Sequence, residues 1–174
     1  MYKETFPGGE SPVLIRRSRD PHGWMGNMSA YTVVYEGLAY RTAEALFQCL
    51  RLPETEEDLR EEIRLETSPM AAKFLAKANS ERRCVVPLSP EDLNLMRKVL
   101  RLKLAQHPEL KQELRKTGER VIIEDCSNRP HGTGLFWGAQ NLLDGTWKGL
   151  NWLGVLWTEV RHEIREPDLS DIGL

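Results

Sequence analysis

The 174-residue chain contains no apolar run near the roughly 20 residues that a membrane-spanning helix needs, so no membrane association is expected. Cysteine is scarce. Cys49, Cys84 and Cys126 are odd in number and far apart, which excludes a disulfide framework and points to reduced thiols, with Cys49 read as core packing. Histidine is scarce too. His22, His107, His131 and His162 show no HxxxH or CxxC spacing, so no protein-built zinc site is expected. Charge of one sign is missing: the formal net charge is −2, and no global basic field draws the chain onto nucleic acid, although a local basic cleft stays open. No glycine spacing matches a Walker or dinucleotide fingerprint, and there are no repeats or low-complexity tracts. The opening "MYKETFPGGESP" is too polar for a secretory signal, which makes the cytoplasm the expected compartment.

What is present is an ordinary soluble composition, 40% hydrophobic and 29% charged, in a chain long enough to bury a core without metals or disulfides. The pattern predicts an α+β fold: one predominantly α-helical domain with a few short strands. Residues 1–12, with Pro7, Gly8, Gly9 and Pro12, read as a loose arm, residues 13–166 as the domain, and residues 167–174 as a tail. "VLIRR" reads as a first strand, "PHGWMGNM" as a loop, and residues 31–40 as a hairpin turning at "EG". Helices follow from Thr42. Thr42, the "TEED" of 55–58, Ser68 before Pro69, and "SPED" at 89–92 all read as helix starts. Leu93, Met96, Leu100 and Leu104 lie at core spacing. "HPEL" opens a helix that Gly118 ends, and "VIIE" is a short strand. Residues 125–150 are long for a structureless connection, so they form either a functional loop or unrecognised strands. Asn151 is placed as the cap of a last helix whose core face is Trp152, Leu153, Leu156, Trp157, Val160 and Ile164.

Three features could carry chemistry. In "TAEALFQCL" and the residue after it, Ala43, Leu46, Phe47 and Leu50 form an apolar face, while Glu44, Gln48 and Arg51 form a polar row at its edge. That row is either a solvated boundary or the wall of a cleft, with Glu44 as general acid or base and Phe47 as a surface for a ring. In "SPMAAKFLAK", Lys73 follows two alanines early in a helix; it either extends to solvent or, if partly buried, serves as a nucleophilic amine. "GTGLFWGAQ" and "GTWKGLNWLG" set Phe136, Trp137, Trp147 and Trp152 among glycines, which suits stacking on a flat ring or anchoring of the loop.

Together these stretches resemble the NADAR superfamily of N-glycosidases, over most of the chain. "HGWMGNM" keeps the Gly23 and Asn27 of the family's opening segment, and Glu44 to Gln48 stand where the family has E-H-Y-F-Q. Ser68 to Lys73 match S-P-x-x-A-K, although the family's following Gly-Arg is Ala76-Lys77 here. "LKLAQHPELKQELRKTG", "IIED", "FWG" and "GLNWLG" match the later motifs. Many members carry an Asp three residues before the Trp of W-G. This chain has Gly134 there, with Asp125 and Asn128 as candidate replacements. The resemblance implies hydrolysis of the bond between a ribose or ADP-ribose anomeric carbon and an exocyclic amine. The substrates would be ADP-ribosylated guanine or phosphoribosylated intermediates of riboflavin synthesis. Glu44 and Lys73 would be catalytic, and Trp24, Asn27, Phe47, Gln48, Trp137, Gly138 and Asn151 would bind substrate. No metal or cofactor is implied, and the partner would be a small nucleotide-like substrate or ADP-ribosylated nucleic acid. A catalytically silent ADP-ribose or NAD-binding module is the alternative.

Overall fold

In the computed structural model, which describes residues 4–164, the chain begins with strands β1 (Thr5–Pro7) and β2 (Val13–Ile15). A hairpin of β3 (Val33–Tyr35) and β4 (Leu38–Tyr40) leads into helices α1 (Ala43–Leu50), α2 (Glu57–Leu65), α3 (Pro69–Ala78), α4 (Pro90–Gln106) and α5 (Pro108–Lys116). Then come β5 (Ile122–Glu124), the single turn α6 (Gly134–Trp137), β6 (Gln140–Asn141), β7 (Thr146–Lys148) and α7 (Trp152–Glu163). The class is α+β, as the sequence pattern predicts. The elements group into two compact units, one of residues 15–107 and the other of residues 4–14 and 108–164. The expected tail, 167–174, lies outside the described residues.

The first unit is built around α1. Thr42 starts it, its hydroxyl accepting from the Ala45 N–H at 3.2 Å. Every residue from Ala43 to Cys49 is buried, because α2, α3 and α4 all pack against this helix. α2 contributes Leu59 and Ile63, α3 contributes Ala72 and Ala76, and α4 contributes Met96, Val99, Leu100 and Leu104. Burial of each large apolar side chain stabilises the fold by about 1.5–3 kcal/mol. Ser68 and Ser89 cap α3 and α4 as expected, each followed by Pro at the first helical position. The start expected at "TEED" is corrected. The Glu56 N–H closes a turn on the Pro53 carbonyl (3.1 Å), so Glu56 takes the cap position with no side-chain cap bond. The hairpin at 31–40 forms in the register Val33↔Tyr40, Val34↔Ala39, Tyr35↔Leu38. Its two turn residues, Glu36 (φ 50°) and Gly37 (φ 78°), both have positive φ, as a tight primed turn requires.

In the second unit, residues 5–7 correct the expectation of a loose arm. They form β1, the outer strand of an antiparallel sheet ordered β1-β7-β6, with Phe6 opposite Trp147. Phe6 and Leu14 pack with Ile123, Ala139 and Trp147, and this apolar cluster is what orders the arm. Residues 125–150 therefore contain strands that their glycine and asparagine content hid. α7 packs on β5 and buries Leu153, Leu156, Trp157 and Val160. Trp152 and Ile164, expected in that core face, are half-buried, and Arg161 is buried instead.

Candidate active site

Residues 44, 48 and 51 recur at intervals of four and three, so a helix stacks their side chains on one face. On α1 that face is not solvated. Glu44, Gln48 and Arg51 are 5%, 3% and 6% exposed, which rules out the solvent-facing boundary. Burying such groups is costly unless each finds a partner, and here they partner one another. Gln48 Nε2 donates to Glu44 Oε1 at 2.8 Å. Gln48 Oε1 accepts from Arg51 Nη1 at 3.5 Å and from Arg83 Nη2 at 3.4 Å. Arg51 then grips the fully buried Asp92 side-on with two parallel N–H bonds, Nε to Oδ1 at 2.6 Å and Nη2 to Oδ2. The guanidinium also lies 4.2 Å from the centroid of the Phe47 ring, a cation–π contact. The Glu44 N–H donates to the Asn27 carbonyl at 2.9 Å, so the loop carrying Trp24 and Asn27 is tied to the start of α1. Among the described residues no group bonds Glu44 Oε2, so one carboxylate oxygen is left for a substrate or a water.

Asp92 was legible only as part of a helix start. Its N–H is indeed capped by Ser89 (3.2 Å), but its carboxylate serves Arg51 and the Leu88 N–H (2.8 Å). Arg83, between α3 and α4, was not singled out at all. Its pKa is pushed below the usual arginine range, first by burial and then by the neighbouring Arg51 charge.

Lys103 was also missed, although it sits within the Met96–Leu100–Leu104 core spacing of α4. It is fully buried. Its amine donates to the Trp24 carbonyl, to Ser29 Oγ at 2.7 Å and to the Gly26 carbonyl at 3.2 Å. Three acceptors match the three N–H bonds of an ammonium, while desolvation opposes the charge and pushes the pKa down to about 7. A measurable pH dependence follows. An unfolded lysine titrates near 10.4, so between about 7 and 10 the unfolded chain holds more protons than the folded one. Stability contributed by Lys103 is complete above the unfolded value and is lost as pH falls through 7. Urea midpoints of the wild type should therefore rise from pH 6 to pH 9.5 relative to those of Lys103→Met. Parallel curves for the two proteins would remove the lysine as the cause.

Lys73 lies on α3 immediately after the buried Ala72, but it is exposed and makes no hydrogen bond or ion pair among the described residues. The partial burial considered for it is absent, because the inward face of α3 is occupied by Ala72 and Ala76. In the second unit, Trp137 is half-buried and meets Phe136 edge-on, with ring centroids 5.1 Å apart. The Gly138 carbonyl accepts from the Asn151 N–H at 3.2 Å. A Cβ on Gly138 would stand 2.3 Å from the Glu124 carbonyl oxygen, which gives this glycine a packing role. Asn151 holds the N-cap position of α7, as expected, but without a side-chain cap bond. It adopts a left-handed conformation (φ 53°) and directs its amide at β5, with Nδ2 donating to the Ile122 carbonyl (2.8 Å) and Oδ1 accepting from the Glu124 N–H (3.0 Å). A groove of about 490 Å³ over β5 and α7 is lined by apolar residues with Asn151, Thr158, Glu159 and His162; Trp137 and Gly138 do not line it.

The buried carboxylate–amide–guanidinium row lies in a chain whose residues 14–165 match the NADAR domain family. The N-glycosidase YbiA of Escherichia coli (strain K12) is 32% identical over 149 residues, covering 83% of both chains. The N-glycosidase YbiA of Shigella boydii serotype 4 matches to the same extent. The chain belongs to the NADAR domain family. Its fold follows that of E. coli YbiA in an NMR structure, with a TM-score of 0.74 and 28% identity over 92% of this chain and 88% of that one. Within this NADAR domain the departure at Gly134 has a local cause. A Cβ there would come within 2.7 Å of the Arg129 carbonyl oxygen, so no side chain fits without a shift of the loop. Asp125 does not simply take its place, because its Oδ1 is held by the Ser127 N–H (3.0 Å) and hydroxyl (2.5 Å).

Proposed function

We propose that this NADAR domain hydrolyses the bond between the anomeric carbon of a ribose or ADP-ribose and an exocyclic amine of a nucleobase-like ring. The coarse activity, N-glycosyl hydrolysis, follows from membership of the family and from the N-glycosidases it resembles. The observation that carries the finer reading is Glu44: a buried carboxylate with one oxygen held by Gln48 and the other free. Such a group can protonate the departing amine or draw a proton from an attacking water. Phe47 and Trp24 are the rings proposed to flank the base or sugar, and Asn27 the residue that orients the loop. The candidate substrates are ADP-ribosylated guanine, free or in nucleic acid, and phosphoribosylated intermediates of riboflavin synthesis. The cytoplasm is the proposed compartment; no described helix is long and apolar enough to cross a membrane. Incubation with both substrates and mass spectrometry of the products tests the reading. Free sugar and free base support it. Binding without release would instead identify a silent ADP-ribose module, the reading that Gly134 favours.

Two routes use these residues differently. In one, the N-glycoside opens to an imine and the amine of Lys73 adds to C1 and displaces the base. This leaves a Schiff base between Lys73 and C1 of the sugar, which water then hydrolyses. In the other, a Glu44-activated water attacks C1 directly. The lysine route predicts that borohydride added during turnover traps the sugar on Lys73, and that Lys73→Arg is inactive because a guanidinium keeps the charge but is no nucleophile. An active Lys73→Arg enzyme without trapping would leave the water route.

A further inference from the structure

We infer that Arg83 is an anion subsite, with its guanidinium receiving a phosphate group of the substrate. The inference rests on the proposed reading for the identity of the anion and on the geometry for its existence. Arg83 is half-buried, and its Nη2 reaches Gln48 Oε1 (3.4 Å) and the Ala76 carbonyl (3.1 Å). Its Nε is buried without a hydrogen-bond partner, and among the described residues Nη1 makes none and no carboxylate pairs with it. The contrast with its neighbours is direct. Arg51 is neutralised by a bidentate contact with Asp92, and Arg82, one residue earlier in the chain, is paired with Glu56.

A guanidinium cannot shed its charge, so one held partly out of water beside a second guanidinium needs a negative partner. Among the described residues no carboxylate forms an ion pair with Arg83, and Asp92 and Glu44 act on it only from beyond contact distance. Arg51 and Arg83 instead share one neutral amide oxygen, at the long end of hydrogen-bond range. The planar fork of Arg83 suits an oxyanion that can accept two N–H bonds, a phosphate above all. Its place fits the substrate as well. The reacting carbon and the 5-phosphate of a ribose lie at opposite ends of one sugar, and Gln48 alone separates Glu44 from Arg83. Nη2 ties Arg83 to the functional row through Gln48, while Nε has no partner of its own among the described residues.

The test uses a phosphoribosyl N-glycoside and the same compound with its phosphate removed. Charged hydrogen bonds of this kind correspond to roughly a 10- to 100-fold effect, so Arg83→Gln should shrink the preference for the phosphorylated substrate by that factor, through KM more than kcat. Arg83→Lys should restore part of it. Melting curves establish that both variants are folded. Ribose 5-phosphate binding, measured by calorimetry, separates this inference from the proposed activity. Binding by the wild type that is lost in Arg83→Gln supports the subsite even if neither substrate is hydrolysed. An unchanged preference in a folded Arg83→Gln enzyme, or wild-type protein that does not bind ribose 5-phosphate, overturns it.

Discussion

Glu44→Gln is expected to lower turnover by on the order of 10²–10⁴-fold while leaving the melting temperature nearly unchanged. The substitution keeps the shape of the side chain and a carbonyl oxygen to accept from Gln48 Nε2 at the position now 2.8 Å away. It leaves the Glu44 N–H on the Asn27 carbonyl untouched. What it removes is the ability to gain and lose a proton at the free oxygen. A structural carboxylate would give the opposite pattern, with activity near wild type. Steady-state kinetics on the better of the two substrates, beside a thermal melt, decides between them. A fall in kcat with an unchanged KM would show that the missing interaction belongs to the transition state, whereas a rise in KM alone would make Glu44 a binding group.

The polar row was visible in the sequence as spacing, but its environment was not. Helical periodicity placed Glu44, Gln48 and Arg51 on one face, and nothing local could say whether that face met water. The answer depended on Asp92, forty-one residues beyond Arg51, whose short-range reading as part of a helix start was self-sufficient. Lys103 was hidden for a related reason: lysine on a helix is usually solvated, and only the loop at 24–29 folding over α4 makes it buried. Helix starts fared better, since Ser68, Ser89 and Thr42 act through bonds three residues away. The arm and the long loop were misread because β1, β6 and β7 are two or three residues each. Their pairing is non-local, and strands so short leave no period to detect. Asn151 illustrates the limit of local rules. Its position before α7 is that of a cap, yet the β5 carbonyl and N–H groups compete for its amide and win.

Asp92→Ala should be the most destabilising single change in the first unit, by about 3–5 kcal/mol, because it leaves the Arg51 guanidinium buried with no counter-charge. A second loss adds to this. Asp92 Oδ2 also accepts from the Leu88 N–H at 2.8 Å, and Leu88 holds a left-handed backbone (φ 65°) that a branched side chain rarely adopts. Without that bond the turn into α4 loses a fixed point. In urea unfolding, the variant's midpoint should fall sharply with the slope unchanged. The double variant Arg51→Leu with Asp92→Leu removes both charges together and should recover a large part of the loss, since the pair's own desolvation cost disappears with it. Recovery of stability need not bring back activity. Arg51 also donates to Gln48 Oε1, and Gln48 holds the Glu44 carboxylate. A stable but slow double variant would place the ion pair in the support of the functional row. A single Asp92→Ala protein within about 1 kcal/mol of wild type would instead show that water or a neighbouring group neutralises Arg51 as well as Asp92 does.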